Sequence, residues 1–384
     1  MKEKRVYIYL IFLFFCTCQQ SKQDRFKGGI IINLDTAQEI EIRTSNLFKS
    51  VRPIILETKS ESLIANVSEI LVFDEKMFIF DNRGKSLLVF DMDGKFIRRI
   101  GGIGKGPGEY TLISDFTIDP EKREIYVLVN AGRIHKYNVD GAYVNSIQIS
   151  REDNVPNFKY IQYFDGKIYS AANQLIRDNY HILYQIDPKT GKILKGYFSL
   201  EDNLGWNLIV GQAVFFNRLH GIPKFIYPCM NTIISLDNVA PFMILKSEKW
   251  VHTSEIEKIK QQTDQLLSWQ QLVLKKKAGV LQNYMETKDR IFFCYFENMK
   301  IRTAMYHKDE QSIYLANPFI NDLLYEQRKH FDFRYTDEKG AYEVILMEQF
   351  FMSKDLFLGN DHMRKQLQTL NEESNPVIFF YEFK

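Results

Sequence analysis

From residue 68 onward the chain alternates short apolar runs with polar turns, a pattern too finely broken for long helices. Runs at 68–73 and 77–81, rich in Val, Ile and Phe, flank the turn at Asp74-Glu75-Lys76. Runs at 86–91 and 95–100 follow, joined by Asp93-Gly94, a pair whose tolerance of positive φ suits a tight hairpin. The order repeats at 115–119, 124–129, 132–138 and 142–149, and the Asp140-Gly141 turn falls 47 residues after the first Asp-Gly. Four short strands per repeat of this length predict the blades of a β-propeller. Each meander is apolar on both faces, so a single blade cannot hide its own surface and needs neighbours on either side.

A third unit is readable at 159–164, 167–172, 180–187 and 192–198, and a looser fourth at 212–217, 223–227, 232–237 and 241–246. Later strands are expected at 289–297, 300–307, 312–316, 331–335, 341–350 and 376–383. Length and repeat favour six four-stranded antiparallel blades over residues 30–384, an all-β fold. Closure of the ring is expected to pair strands from both termini, with 30–34, 40–43 and 377–383 as candidates. One stretch breaks the pattern. Residues 253–287 carry Ile256, Ile259, Leu266, Leu267, Val273 and Leu274 near helical spacing. Ser254-Glu255-Ile256-Glu257 reads as a capping box, and Lys275, Lys276 and Lys277 complement the dipole before Gly279. This predicts a helical insertion between the fourth and fifth blades; a second, shorter helix is expected at 361–370.

The beginning of the chain has a different character. Lys2, Lys4 and Arg5 precede an apolar run over 6–15. Ten residues rise about 15 Å as a helix, half of what a bilayer requires, so a signal peptide is read over 1–17. Cys16 and Cys18 close the run and Gln19, Gln20 and Ser21 follow. This resembles the lipobox of bacterial lipoproteins, with Cys18, preceded by Thr17, as the acylated residue and 18–29 as a flexible tether. Phe15 stands three residues before it, where such motifs usually have Leu. Removing 1–17 leaves equal numbers of acidic and basic residues. No basic stripe remains for phosphates, which argues against a nucleic-acid partner. Cys229 and Cys294 are then read as buried thiols, a bridge between them being the alternative.

Gly101-Gly-Ile-Gly-Lys-Gly-Pro-Gly-Glu-Tyr110, followed by Ser114-Asp115-Phe116, looks like the inter-blade linker of a family of six-bladed propeller lipoproteins. These are abundant in gut-commensal Gram-negative bacteria and related in fold to NHL-repeat propellers. Val89-Phe-Asp-Met-Asp-Gly-Lys95 and the closing Asn375-Pro-Val-Ile-Phe-Phe-Tyr381 fit as well. The resemblance implies an outer-membrane lipoprotein on the periplasmic or cell-surface side, and ligand or protein binding on one propeller face. It implies no agreed reaction.

The residues with chemical capacity are few. The glycine-rich loop lacks a closing Gly-Lys-Ser/Thr and precedes a strand, so a crossing between blades explains it better than phosphate binding. Glu109, Tyr110 and Asp115 are expected near the channel mouth, Arg83 in a polar turn able to hold a carboxylate or sugar hydroxyl, and Trp206 as a sugar-stacking ring. For each, a structural role is the competing reading. The seven histidines show no metal spacing, no nucleophile elbow is present, and no cofactor is implied. Three functions follow: a tethered non-catalytic propeller binding a glycan, peptide or envelope protein; a hydrolase or lyase at the axial channel; or a scaffold subunit of an envelope complex.

Overall fold

A computed structural model describes residues 29–150, 156–172, 180–199, 216–217, 221–227, 230–264, 267–268, 271–272, 277–298, 300–325, 327–328, 332–353, 355 and 361–384. The described residues begin with three strands, β1 (Ile30–Asn33), β2 (Gln38–Arg43) and β3 (Phe48–Ile55), the last two joined by the one-turn helix α1 (Thr44–Leu47). The first blade is β4 (Val67–Phe73), β5 (Lys76–Asp81), β6 (Ser86–Asp91) and β7 (Phe96–Ile100). A two-stranded parallel clip, β8 (Gly102–Ile103) and β9 (Glu109–Tyr110), leads to the second blade, β10 (Ile113–Asp119), β11 (Glu124–Val129), β12 (Arg133–Asn138) and β13 (Tyr143–Gln148). The third is β14 (Tyr160–Phe164), β15 (Lys167–Ala171), β16 (His181–Ile186) and β17 (Ile193–Ser199). The fourth comprises β18 (Phe216–Asn217), β19 (Lys224–Ile226), β20 (Thr232–Ser235) and β21 (Ala240–Lys246).

After helix α2 (Thr253–Lys260) come the fifth blade, β22 (Ala278–Glu286), β23 (Arg290–Glu297), β24 (Lys300–His307) and β25 (Ser312–Asn321), and its short appendage β26 (Gln327–Arg328). The sixth blade is β27 (Tyr335–Thr336), β28 (Gly340–Ile345), β29 (Val377–Phe383) and, as its outermost strand, β3 from the N-terminal segment. Two helices, α3 (Met347–Ser353) and α4 (Asp361–Leu367), connect β28 to β29. The fold is a six-bladed β-propeller.

Why the strands read as apolar runs rather than alternations is visible in the core. Phe78 and Phe80 point into the seam with the second blade, while Met77 and Ile79 point into the seam with the sixth. Among the described residues six apolar clusters occur, each straddling two neighbouring blades. Both faces of every blade are therefore buried, which removes the polar face that a half-exposed strand would show. The turns follow local rules. Asp74 and Glu75 both take positive φ, the geometry of a two-residue hairpin matching strand twist.

The glycine turns between the two outer strands of a blade do more than reverse the chain. Gly94 has φ +88, and a Cβ there would lie 2.2 Å from the carbonyl oxygen of Ile55 at the end of β3. Its own carbonyl accepts the Glu57 N–H at 2.8 Å. Gly191 repeats this in the third blade: φ +73, a Cβ 2.2 Å from the Gln148 carbonyl oxygen, and its carbonyl accepting the Ser150 N–H at 3.0 Å. The outer hairpin of one blade is thus bonded to the chain leaving the previous one. The inner strands are linked too: Asp115 and Thr117 accept the N–H groups of Ile161 and Tyr163 at 2.7 and 2.9 Å.

Three expectations are corrected. Closure uses β29, as expected, but its partner is β3, whose Phe48 stands opposite Phe383 and Ile55 opposite Val377. Pro53, Lys49 and Arg52 disguise β3 as a linker; an outermost strand has one unpaired edge and tolerates proline. Residues 30–34 and 40–43 instead supply β1 and β2, which add parallel strands to the outer edges β21 and β25. Residues 29–55 therefore belt the rim of the fourth, fifth and sixth blades.

The helix begun at Thr253 reaches only Lys260, capped by His252 with Glu255 accepting its N–H at 3.0 Å. Residues 278–286 form β22, and Gly279 pairs with Phe296 rather than ending a helix. The fifth blade's need for an innermost strand overrides the lysine signal. Likewise the strand expected over 341–350 stops at Ile345, where α3 follows. Leu266 and the lysines at 275 and 276 lie outside the described residues.

Candidate functional site

A cavity of about 790 Å³ opens where the hairpins between the first and second strands of the fourth, fifth and sixth blades meet. Ile222 and Lys224 reach it from the fourth blade, 286–290 from the fifth, and Asp337 and Glu338 from the sixth. Leu47 and the final residues Phe383 and Lys384 complete the wall. Gly221, at φ +101, turns the chain before Ile222, which is left 40% exposed. Apolar side chains, Leu47, Ile222 and Phe383, share this concave surface with charged ones, Lys224, Glu286, Asp289 and Asp337.

Lys224 is the deepest cation. It is 94% buried by virtue of the residue's 6% exposure, and its Nζ donates to the Ile222 carbonyl oxygen at 3.0 Å. The same ammonium lies 4.4 Å above the Phe242 ring and 3.7 Å from Glu286 Oε2. Burial pushes its pKa below the ordinary lysine value, opposed by the charges of Glu286 and Asp237. Glu286 accepts the Lys308 ammonium at 2.8 Å and the Tyr284 hydroxyl at 2.9 Å. Burial, reinforced by Glu286, drives that phenol well above its usual pKa.

Asp289 and Asp337 are also engaged. Burial alone would raise Asp289, yet the Thr287 hydroxyl at 2.9 Å and the Arg290 charge hold it below its ordinary value. Asp337 accepts the Lys339 and Gly340 N–H groups at 2.8 and 2.9 Å and the Tyr342 hydroxyl at 3.0 Å. Lys288 and Lys384 stand exposed at the rim. The interior acids Glu286, Asp289 and Asp337 are thus each bonded to neighbouring hydroxyl, ammonium or backbone N–H groups. Among the described residues no group of three or more His, Cys, Asp or Glu side chains is placed to hold a metal ion.

Among the described residues, Arg83, Glu109, Tyr110 and Asp115 lie away from this cavity. Arg83 lies exposed in the β5–β6 turn, where its N–H and that of Gly84 donate to Asp81 at 3.1 and 2.8 Å. Glu109 accepts the Gly106 N–H at 2.9 Å, folding the glycine-rich loop onto itself, and its carbonyl oxygen meets His135 Nε2 at 3.1 Å. Tyr110 is buried between the first two blades, with its hydroxyl donating to the Ile100 carbonyl oxygen at 2.7 Å. Asp115 accepts the N–H groups of Phe116 and Ile161 at 2.8 and 2.7 Å. Each carries a defined bond within the scaffold. Cys18, Trp206 and Cys229 lie outside the described residues; Cys294 is buried, with its Sγ 3.5 Å from the Thr303 hydroxyl. Sequence reasoning missed the cavity because its walls come from hairpins far apart in the chain. The available signal was the pair of charged turns Thr287-Lys-Asp-Arg290 and Thr336-Asp-Glu-Lys339.

Comparison with protein families then places the chain. A model described as a domain of unknown function, DUF4934, matches residues 29–382. The chain belongs to the DUF4934 family. No curated protein matches it. The DUF4934 propeller is similar to a crystal structure from Bacteroides fragilis of a protein described as exported, at 18% identity and TM-score 0.74, covering 93% of this chain and all of that one. A member of the DUF4221 family from Bacteroides vulgatus aligns at 11% identity and TM-score 0.49, over 88% and 97% of the two chains. The first likeness supports the propeller; at such identities a shared fold carries no shared activity.

Proposed function

We propose that this DUF4934 chain is an exported lipoprotein, acylated at Cys18, whose propeller binds a ligand or protein partner in the cavity of the fourth to sixth blades. The observation that carries this reading is the cavity itself, a concave surface shared by apolar and charged side chains and walled by three blades. Support for export comes from the charged head and apolar run before Cys18, and from the description of the Bacteroides fragilis relative. Lipid at Cys18 would hold the propeller at the outer membrane, on its periplasmic or outward side, since several acyl chains give stable anchoring where one does not.

The reading is tested in two parts. Cys18→Ala is expected to release the protein from membranes; retention with unchanged processing would place the anchor elsewhere. The soluble form beginning at Gln19 should gain thermal stability with at least one member of a panel of oligosaccharides and short peptides. Ile222→Asp, which puts a charge on the exposed apolar wall, should abolish that gain. No gain across the panel, or one indifferent to Ile222→Asp, excludes the cavity as the site.

A further inference from the structure

The rim belt fixes where the tether leaves the body. β1 runs parallel to the second half of β21, with Ile30 opposite Met243, so the chain enters the fold beside Pro241 and Phe242 in the first half of that strand. Gly29 sits there in close backbone contact, where a Cβ would lie 2.6 Å from the Pro241 carbonyl oxygen and 3.0 Å from that of Phe242. The same end of the blade carries the cavity wall. Lys224 pairs with Ser235, Ser235 with Ala240, and the Phe242 ring beneath the Lys224 ammonium belongs to the residue that Gly29 touches. Counting from β19 through β20 and β21 to β1, Gly29 and Lys224 stand three strand spacings apart, about 14 Å.

We infer that the belt turns the cavity face toward the bilayer. This rests on acylation of Cys18. The residues from Cys18 to Gly28 number eleven and reach at most about 40 Å even when fully drawn out. The two faces lie about 26 Å apart along the eight residues of β23, so presenting the opposite face to the lipid would take up roughly two thirds of that reach merely in passing around the rim. Because β1, β2 and β3 are hydrogen-bonded into three successive blades, the exit point cannot migrate around the rim without stripping those strands.

The two ends of one strand report the orientation. Lys288 lies in the hairpin before β23, at the cavity rim, and Lys300 at the start of β24, in the hairpin after it; both are exposed. Full-length acylated protein carrying Cys229→Ser and either Lys288→Cys or Lys300→Cys is labelled with a donor fluorophore. It is then placed in vesicles of phosphatidylethanolamine and phosphatidylglycerol containing a headgroup-linked acceptor. The eight residues of β23 separate the labels by roughly 26 Å, so transfer from position 288 is expected to exceed that from 300 by about twofold or more. Equal transfer, or more from 300, on vesicle-bound protein overturns the orientation and leaves the anchor standing. Protein that stays in the supernatant overturns the anchor and this inference with it.

Discussion

Asp115 shows how a residue suggestive of chemistry serves architecture. Its carboxylate is almost wholly buried and accepts N–H groups from two blades, Phe116 within its own strand and Ile161 in the next. Asp115→Ala would remove both bonds, and a hydrogen bond to a charged group contributes about 1.5–3 kcal/mol. Urea unfolding is expected to show a loss of that size, with the slope unchanged. His135 gives a pH dependence. Its Nδ1 meets the Ser146 hydroxyl at 2.6 Å and its Nε2 the Glu109 carbonyl oxygen at 3.1 Å. Burial, against the raising effect of that carbonyl, lowers its pKa below 6.5. The unfolded chain then binds the proton first, so the stability held by neutral His135 is complete above pH 6.5 and declines as the pH falls toward the folded pKa. His135→Gln should flatten Tm between pH 7 and pH 5; an unaltered slope would remove His135 as the cause.

At the scale of the element, the glycine turns separate two kinds of constraint. Gly94 combines positive φ with a backbone carbonyl where a Cβ would go, whereas Gly166 has φ +71 with nothing within 4 Å. Gly166→Ala should cost only the backbone penalty, about 1–2 kcal/mol. Gly94→Ala should cost more and raise hydrogen exchange at Glu57, whose N–H it bonds across the closing seam. Similar losses from the two, with Glu57 still protected, would mean that the outer hairpin does not clamp the neighbouring blade. The repeat was legible in the sequence for this reason: Asp93-Gly94 and Asp140-Gly141 recur because each turn has the same backbone shape and meets a preceding blade. The element lost in reading was β3, since edge position alone licenses Pro53 and no local pattern announces an edge.

For the whole molecule, closure is carried by one strand and reinforced by two. β3 completes the sixth blade, while β1 and β2 lie outside blades that already have four strands of their own. A chain beginning at Gln38 is therefore expected to fold, with β21 exposed and a modest fall in Tm. One beginning at Leu56 should lose cooperative melting and scatter light on warming, because β29 and half of a blade seam are bared. Cooperative melting of both chains would show that the ring holds without its N-terminal lock. The cavity belongs to this scale as well. Its walls come from three blades, the α1 turn of the belt and the final residues Phe383 and Lys384, so no stretch of sequence contains it.

Local physics in the sequence settled what each segment had to be: apolar runs too short for helices, Asp-Gly pairs where φ must turn positive, and faces that a lone meander could not bury. From these came the blades and their number. Tertiary structure decided what depends on residues distant in the chain. It assigned β3 rather than β1 or β2 to the closing blade, made 278–286 a strand because the fifth blade lacked an innermost one, and set Glu109, Tyr110 and Asp115 to holding seams. Turn shape is written in neighbouring residues, whereas a strand's partner and a cavity's walls are settled only when the ring shuts.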